Sequence, residues 1–321
     1  MSTLDDIVLP LPDRRAGKVR VSYELSPTER LFVTTDRLSA FDKIICSVPG
    51  KGQVLNQLAA WWFEHTRDLV ANHLLEVPDP NCTIGRTAHP LPVEVVVRGY
   101  ITGVTSTSLW RQYADGARTI YGIEFPDGLQ KNTALPHHVV TPTTKAEAGA
   151  HDEPISSVDV VARGLVDAAL WQQVTTAALA LFARGQQVAA AAGLILADTK
   201  YEFGLAADTG ELLLIDEVHT PDSSRYWVAA SYDERLAAGD EPESLDKEVV
   251  RRALLDAGYG GDGPPPALPE HVIAATTARY VDAFERLTGT RFVPGQQPAA
   301  DRIARALAHR FPAPPVQPES P

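Results

Sequence analysis

From Lys18 to Leu25, KVRVSYEL, apolar Val19, Val21 and Tyr23 alternate with Arg20, Ser22 and Glu24. A period of two puts the first set on one face of a strand and the second on the other. A Ser-Pro-Thr turn leads into Arg30 to Asp36, RLFVTTD, so this stretch predicts a β-hairpin. In NQLAAWWFEHTRDLV, Leu58, Trp61, Trp62 and His65 recur at helical spacing, while Val93 to Tyr100, VEVVVRGY, is apolar enough for a central strand. From Arg111 to Ile155 no period persists, and the Gly, Pro, Asp, Thr and His found there suit ligand contacts better than a linker.

Asp167 is placed to cap a long helix whose Leu170, Val174, Ala177, Leu181 and Val188 form one stripe, with Gly193 closing it. LILADTKYEFGL and ELLLIDEV, joined by AADTG, give the clearest hairpin signal of the chain. Helices follow at DKEVVRRALLDAG and PEHVIAATTARYVDAFERLTG, separated by a Gly/Pro spacer, Gly260 to Pro266. The final PAPPVQPESP is too Pro-rich for a core.

The 321 residues suffice for one large domain or two fused lobes, and 44% hydrophobic with 22% charged residues is ordinary globular composition. A formal net charge of −12 repels polyanions, which argues against nucleic acid or an anionic membrane as partner. Small anions remain open, because a few local cations outweigh a screened global field. Cys46 and Cys82 are too few for a disulfide framework and lack metal-ligand spacing, as do His137, His138, His151 and His219. The acidic N-terminus lacks a signal-peptide pattern, and no apolar run is long enough for a span, so a cytoplasmic location is expected.

The chemistry concentrates in the second hairpin. Along LADTKYEFG, Asp198, Lys200 and Glu202 alternate with Thr199, Tyr201 and Phe203, so the three charges project from one sheet face. The partner strand ends in Asp216 and Glu217, and the turn beyond it holds Asp222, Ser223, Ser224 and Arg225. Acids at a strand end require a compensating cation or donor array. Two carboxylates on neighbouring strands, completed by water and phosphate, form a normal Mg²⁺ site in nucleotide enzymes, and Glu202 and Asp216 are the candidate ligands. Any one such acid would suit a solvated face; four acids, a Lys and an Arg on one face and its rim do not. No Walker P-loop occurs, since Gly17-Lys18 and Gly50-Lys51 lack the flanking Gly and Ser/Thr. RRAGKVR instead offers a Gly turn entering a strand, with Lys18 and Arg20 in reach of phosphates. TDRLSAFD, PGKGQ, VRGYITG and TPTTKAEAGAHDEPIS each combine hydroxyls, Gly-exposed amides and cations suited to anions.

In this order, GKVR, TDRLSAFD, PGKGQVLNQL, VVRGYITG, PDGLQKN, TPTTKAEAGAHDEPIS, LILADTKYEFG and IDEVHTPDSSRYW resemble the SAICAR synthetase family of purine biosynthesis, across Gly17 to Trp227. The resemblance implies an ATP-dependent ligase that joins a carboxyaminoimidazole ribonucleotide (CAIR) to L-aspartate through an acyl phosphate, releasing ADP and phosphate. It implies an α+β, two-lobed, ATP-grasp-like fold of antiparallel sheets flanked by helices. The lobes would be 1–97, contributing to ATP binding, and 98–310, with the Mg²⁺ and substrate site, before a flexible tail, 311–321.

By resemblance, Lys18, Glu202, Asp216 and Arg225 form the catalytic set. Gly17, Lys18 and Arg20 lie over the ATP phosphates, and the strand with Glu94 and Val97 presents backbone groups to adenine. Glu202 and Asp216 hold Mg²⁺. Arg98, Asp198, Lys200, Asp222, Ser224 and Arg225 grip the ribonucleotide, while Ser39, Lys51 and Lys145 serve the aspartate and phosphate ends. Where many members run directly from Gly to Ser and Trp, VTSTSL lies between Gly103 and Trp110, making Ser106 the alternative to Ser108 as a substrate contact. The rival functions are a small-molecule kinase using the same acids and a silent nucleotide-binding regulator. Oligomeric state is not set by these residues.

Overall fold

A computed structural model of the chain describes residues 2–105, 107–145 and 153–311. Ser106, His151 and the rest of 146–152, and the tail from 312, lie outside the described residues, so the expectations placed on them stop there. The alternating N-terminal segment forms β1 (Arg15–Ala16), β2 (Arg20–Ser26) and β3 (Glu29–Thr34), with Val21 paired to Val33 and Tyr23 to Leu31. A second hairpin, β4 (Arg37–Ala40) and β5 (Lys43–Ser47), stands apart from this sheet and leads to α1 (Lys51–Thr66). PGKGQ is therefore a helix start, with Gly50 in the left-handed conformation before it. On α1, Leu58 and Trp62 are buried while Trp61 and His65 stack on each other at 3.7 Å. β6 (Leu74–Asp79) and β7 (Cys82–Arg86) complete a five-stranded sheet in the order β1-β2-β3-β7-β6.

The large sheet begins with β8 (Ala88–Tyr100). After α2 (Leu109–Ala114) and the short pair β9 (Thr119–Ile120) and β10 (Ile123–Glu124) comes β11 (Ala134–Thr144). The stretch read as aperiodic thus contains an 11-residue strand. β11 was hidden because several of its residues are exposed and its strand character comes from pairing with β8, not from alternation. Next are α3 (Ser157–Ala162), α4 (Ala168–Ala191) and β12 (Leu194–Ala206), then β13 (Leu212–Ile215) and β14 (Ser224–Val228). The sheet order is β11-β8-β12-β13, with β14 also paired to β12. α5 (Ala229–Ala238), α6 (Glu248–Asp256), α7 (Glu270–Thr288) and α8 (Ala299–Ala306) follow.

The two faces of β12 separate as the alternation requires. Tyr201 and Phe203 are fully buried with Val95, Val97 and Leu196 against Val174, Leu181 and Phe182 of α4, each large side chain contributing about 1.5–3 kcal/mol. Asp167 caps α4 by accepting from Leu170 N at 2.9 Å. Gly185 permits the helix to close on the sheet, since a Cβ there would lie 2.5 Å from His219 Cε1. The opposite face of β12 carries the charges.

Two corrections concern lobe boundaries. Residue 97 lies inside β8, so a division there cuts the large sheet; the change of sheet falls at residue 87. The small sheet also depends on the far end of the chain, because Val21, Tyr23, Leu31 and Val33 pack with Ala299, Ile303 and Leu307 of α8. Among the described residues no helix is long and apolar enough to cross a membrane.

Candidate active site

A cavity of about 750 Å³ lies between the two sheets. That is the size of a small-molecule site. Gly17, Lys18 and Arg20 line one side, Glu94, Lys145, Lys200 and Glu202 the other, with Ser39, Asp216, Glu217 and Asp222 around the rim. Register explains the charged wall. Glu202 on β12 stands opposite Glu94 on β8, and Lys200 donates to Glu94 at 2.6 Å and to Glu202 at 3.2 Å. Lys145 makes a further ion pair with Glu202. Burial alone would raise the Glu202 carboxyl, but Lys200 and Lys145 bring it down to about 2. The same acids hold the Lys200 ammonium above its ordinary range in spite of burial.

Asp216 follows β13 directly, with φ at 68°. An Asp tolerates this conformation, which turns the chain away after the strand. Arg20, reaching across from β2, pairs with Asp216 and lies 3.3 Å from Glu217. Burial pushes the Asp216 carboxyl up to about 6 against the pull of Arg20, with Glu202 and Glu217 adding to the rise. Three carboxylates therefore crowd this end of the cavity, faced by Arg20, Lys145 and Lys200.

Glu202 and Asp216, the donors expected for Mg²⁺, both line this cavity. Among the described residues no three His, Cys, Asp or Glu form a ready metal cluster. Two carboxylates leave the remaining positions of an octahedron to water and phosphate, the usual arrangement for this hard cation.

A smaller recess of about 60 Å³ shares Asp222, Lys247 and Arg251 with the cavity and is also lined by Asp198, Ser224 and Arg225. Here Asp198 sits in register between Arg98 on β8 and Arg225 on β14, 3.3 Å from Arg98 Nη1 and ion-paired to Arg225. Ser224 shares a 2.8 Å hydrogen bond with Thr199.

Four expected contacts lie elsewhere. Val97 is fully buried in the core, and both sides of its strand are paired, with β11 and with β12. It has no free backbone edge for adenine. Arg98 is buried, donates to Thr141 at 2.8 Å and faces Asp198, so it supports the recess without lining it. Lys51 is sealed, its ammonium 2.8 Å from Asp222. Ser108 is also buried; its hydroxyl donates to Thr105 O at 2.6 Å, and Thr105 is the residue that reaches the cavity.

Sequence reasoning missed Lys247 and Arg251, which enter from the start of α6. Their i, i+4 spacing in DKEVVRR is the signal that was available. Burial lowers the Lys247 ammonium to about 8, Asp222 partly opposing.

The sequence profile of SAICAR synthetase matches residues 13–265. The chain belongs to the SAICAR synthetase family. It is 48% identical over 95% of its length to a phosphoribosylaminoimidazole-succinocarboxamide synthase of Legionella pneumophila (strain Lens), covering 98% of that protein. It is 46% identical over 92% of its length to a chloroplastic phosphoribosylaminoimidazole-succinocarboxamide synthase of Arabidopsis thaliana, covering 72% of it. A structure of SAICAR synthase from Saccharomyces cerevisiae complexed with SAICAR superposes with a TM-score of 0.77 at 33% identity, spanning 91% of this chain and 100% of that one. A SAICAR synthetase in complex with ADP shares the fold, with a TM-score of 0.67 at 23% identity over 88% of this chain and 100% of that one. The expected α+β family fold is thus present.

Proposed function

We propose that the cavity between the two sheets and its adjoining recess are where this chain works as a carbon–nitrogen ligase of purine biosynthesis. The reaction joins CAIR to L-aspartate at the expense of ATP. A carboxylate oxygen leaves poorly, so the γ-phosphoryl group is first transferred to it. The aspartate amine then attacks the acyl phosphate, the C–N bond forms and inorganic phosphate departs. Such steps depend mainly on positioning and on neutralising charge.

The observation that carries the placement is the facing of two cationic elements, Lys18 with Arg20 and Lys145 with Lys200, across a cavity that also holds Glu202 and Asp216. On this reading Gly17, Lys18 and Arg20 receive the triphosphate, with Glu94 and Lys200 on the wall facing it. Glu202 and Asp216 would hold Mg²⁺, which supplies neutralising charge to the phosphate oxygens. Asp198, Ser224 and Arg225, with Lys247 and Arg251, receive the ribonucleotide, whose phosphate suits the cations of the recess, and Asp222 backs its wall. Ser39 and Lys145 are assigned to the aspartate end. The setting is the cytoplasm, where Cys46 and Cys82, both free thiols, remain reduced.

A coupled assay of ADP release, with CAIR, L-aspartate or Mg²⁺ omitted in turn, tests the reading. Full turnover requires all three. ADP release that proceeds undiminished without aspartate would point to a kinase and overturn the ligase reading.

A further inference from the structure

The loop from Asp216 to Ser223 joins the acids of the cavity to β14, whose first residues, Ser224 and Arg225, line the recess, and the chain anchors it from behind. Asp222, nearly sealed from solvent, accepts a hydrogen bond from Tyr280 Oη at 2.5 Å and an ion pair from Lys51 at 2.8 Å. Tyr280 lies in the middle of α7, fully buried, and is not among the residues lining the cavity or the recess. Lys51 opens α1 and donates its remaining reach to Arg37 O at 3.0 Å. Two segments far apart in sequence therefore converge on one carboxylate of the loop.

The chemistry of this node differs from that of the cleft. A buried carboxylate accepting from a phenol and an ammonium has its direction fixed on both oxygens, because Tyr280 takes Oδ1 and Lys51 takes Oδ2. Lys51, Lys247 and Tyr280 hold Asp222 ionised well below the ordinary range although burial opposes it. Asp222 N is itself 3.2 Å from Thr220 Oγ1, Ser223 O accepts from Lys200 N at 2.9 Å, and Asp222 stands two residues before Ser224, where the loop joins β14.

We propose that Tyr280 is a positioning residue for the ligation: through Asp222 it sets the loop that presents Ser224 and Arg225 to the ribonucleotide. This rests on the assignment of the recess to the ribonucleotide. Outer-shell partners of metal ligands change affinity or activity by about 10–100-fold when removed, and a loss at the lower end of that range is expected for Tyr280.

The test compares Tyr280→Phe, Asp222→Asn and the double variant by steady-state kinetics for each substrate, with thermal melts alongside. Tyr280→Phe should stay folded, lower kcat/KM for CAIR by about tenfold and move KM for ATP by less than about twofold. In the double variant the Tyr280 change should add nothing to the loss already caused by Asp222→Asn. A melt lowered with all kinetic constants unchanged would make Tyr280 purely structural. Multiplying losses would show that it does not act through Asp222, and either result overturns the proposal. Arg225→Lys separates the underlying assignment: if that variant leaves KM for CAIR unchanged while Tyr280→Phe still couples to Asp222, positioning stands and the recess has another ligand.

Discussion

Lys51 and Lys200 look alike in sequence, each a lysine in a Gly- or acid-rich segment expected to meet an anionic substrate. The structure separates them. Lys200 keeps 34% of its side chain exposed to the cavity while bonding Glu94 and Glu202; Lys51 keeps none and is closed onto Asp222. An incoming phosphate competes for Lys200 at modest desolvation cost, whereas drawing Lys51 out would strand a buried carboxylate. Similar charges thus serve opposite ends: the cleft pairs are exchangeable, and the buried pair fixes the frame against which exchange takes place.

The largest effect that would sharpen this contrast is at Asp216. Asp216→Asn should reduce Mg²⁺-dependent turnover by about 10³-fold or more, since it removes a charge needed while phosphate charge is being redistributed. The fold should survive, because Arg20 retains Glu217 at 3.3 Å. ADP-release kinetics and a circular-dichroism melt on the same sample check both halves. Unchanged activity would remove Asp216 from the proposed metal site.

A direct comparison of the two lysines comes next. Lys51→Met leaves Asp222 buried without its cation and should cost about 3–5 kcal/mol in urea unfolding. Lys200→Met should cost less, because Lys200 keeps 34% of its side chain exposed and Glu202 retains its ion pair with Lys145. Its kcat/KM for ATP should nevertheless fall by about 100-fold. Equal stability losses in the two variants would break the comparison.

Buried histidines provide a third class, groups enclosed without charge. His73 and His219 are 4% and 0% exposed, and burial lowers each imidazole to about 3. Between pH 6.5 and pH 3 the unfolded chain binds protons that the folded chain refuses, so stability rises with pH and is lost as pH falls through that window. The histidines' share of this loss should reach about a few kcal/mol near pH 4.5, partly offset by Asp216 and Asp246, whose carboxyls burial raises to about 6; the difference between wild type and His73→Phe in urea midpoints isolates the histidine part. The Lys51–Asp222 pair does not contribute there. Its carboxyl is depressed, so its stabilisation is complete above the ordinary pKa of 3.8 and is lost only at more acid pH.

What the sequence disclosed follows the range of the forces involved. The alternation of Asp198, Lys200 and Glu202 with Thr199, Tyr201 and Phe203 is local, and it located the charged wall because a strand must divide its faces. The cap at Asp167 was visible for the same reason. Val97 was misplaced because a single strand does not reveal that neighbours occupy both its edges. Lys51 was misread because its burial depends on Asp222 and Tyr280, both more than 150 residues away. α8 was not foreseen, and neither was its packing under the small sheet, since Ile303 and Leu307 show their partner only after the chain has folded.

The smallest expected effect is at the mouth of the cleft. Lys18 pairs with Asp42 at 2.5 Å, with side chains 54% and 50% exposed, beside the tip of the β4–β5 hairpin. Such a pair contributes little to stability, so Asp42→Asn should alter the unfolding free energy by less than about 0.5 kcal/mol. It should still ease the approach of a triphosphate to Lys18 by removing a competing carboxylate, lowering KM for ATP by about twofold at low salt. Initial rates at two ionic strengths read this directly, and the gain should fade at the higher one, as expected of an exposed charge. A KM that rises instead would make the hairpin tip part of the nucleotide site, and Lys18–Asp42 would then belong with the fixed pairs rather than the exchangeable ones.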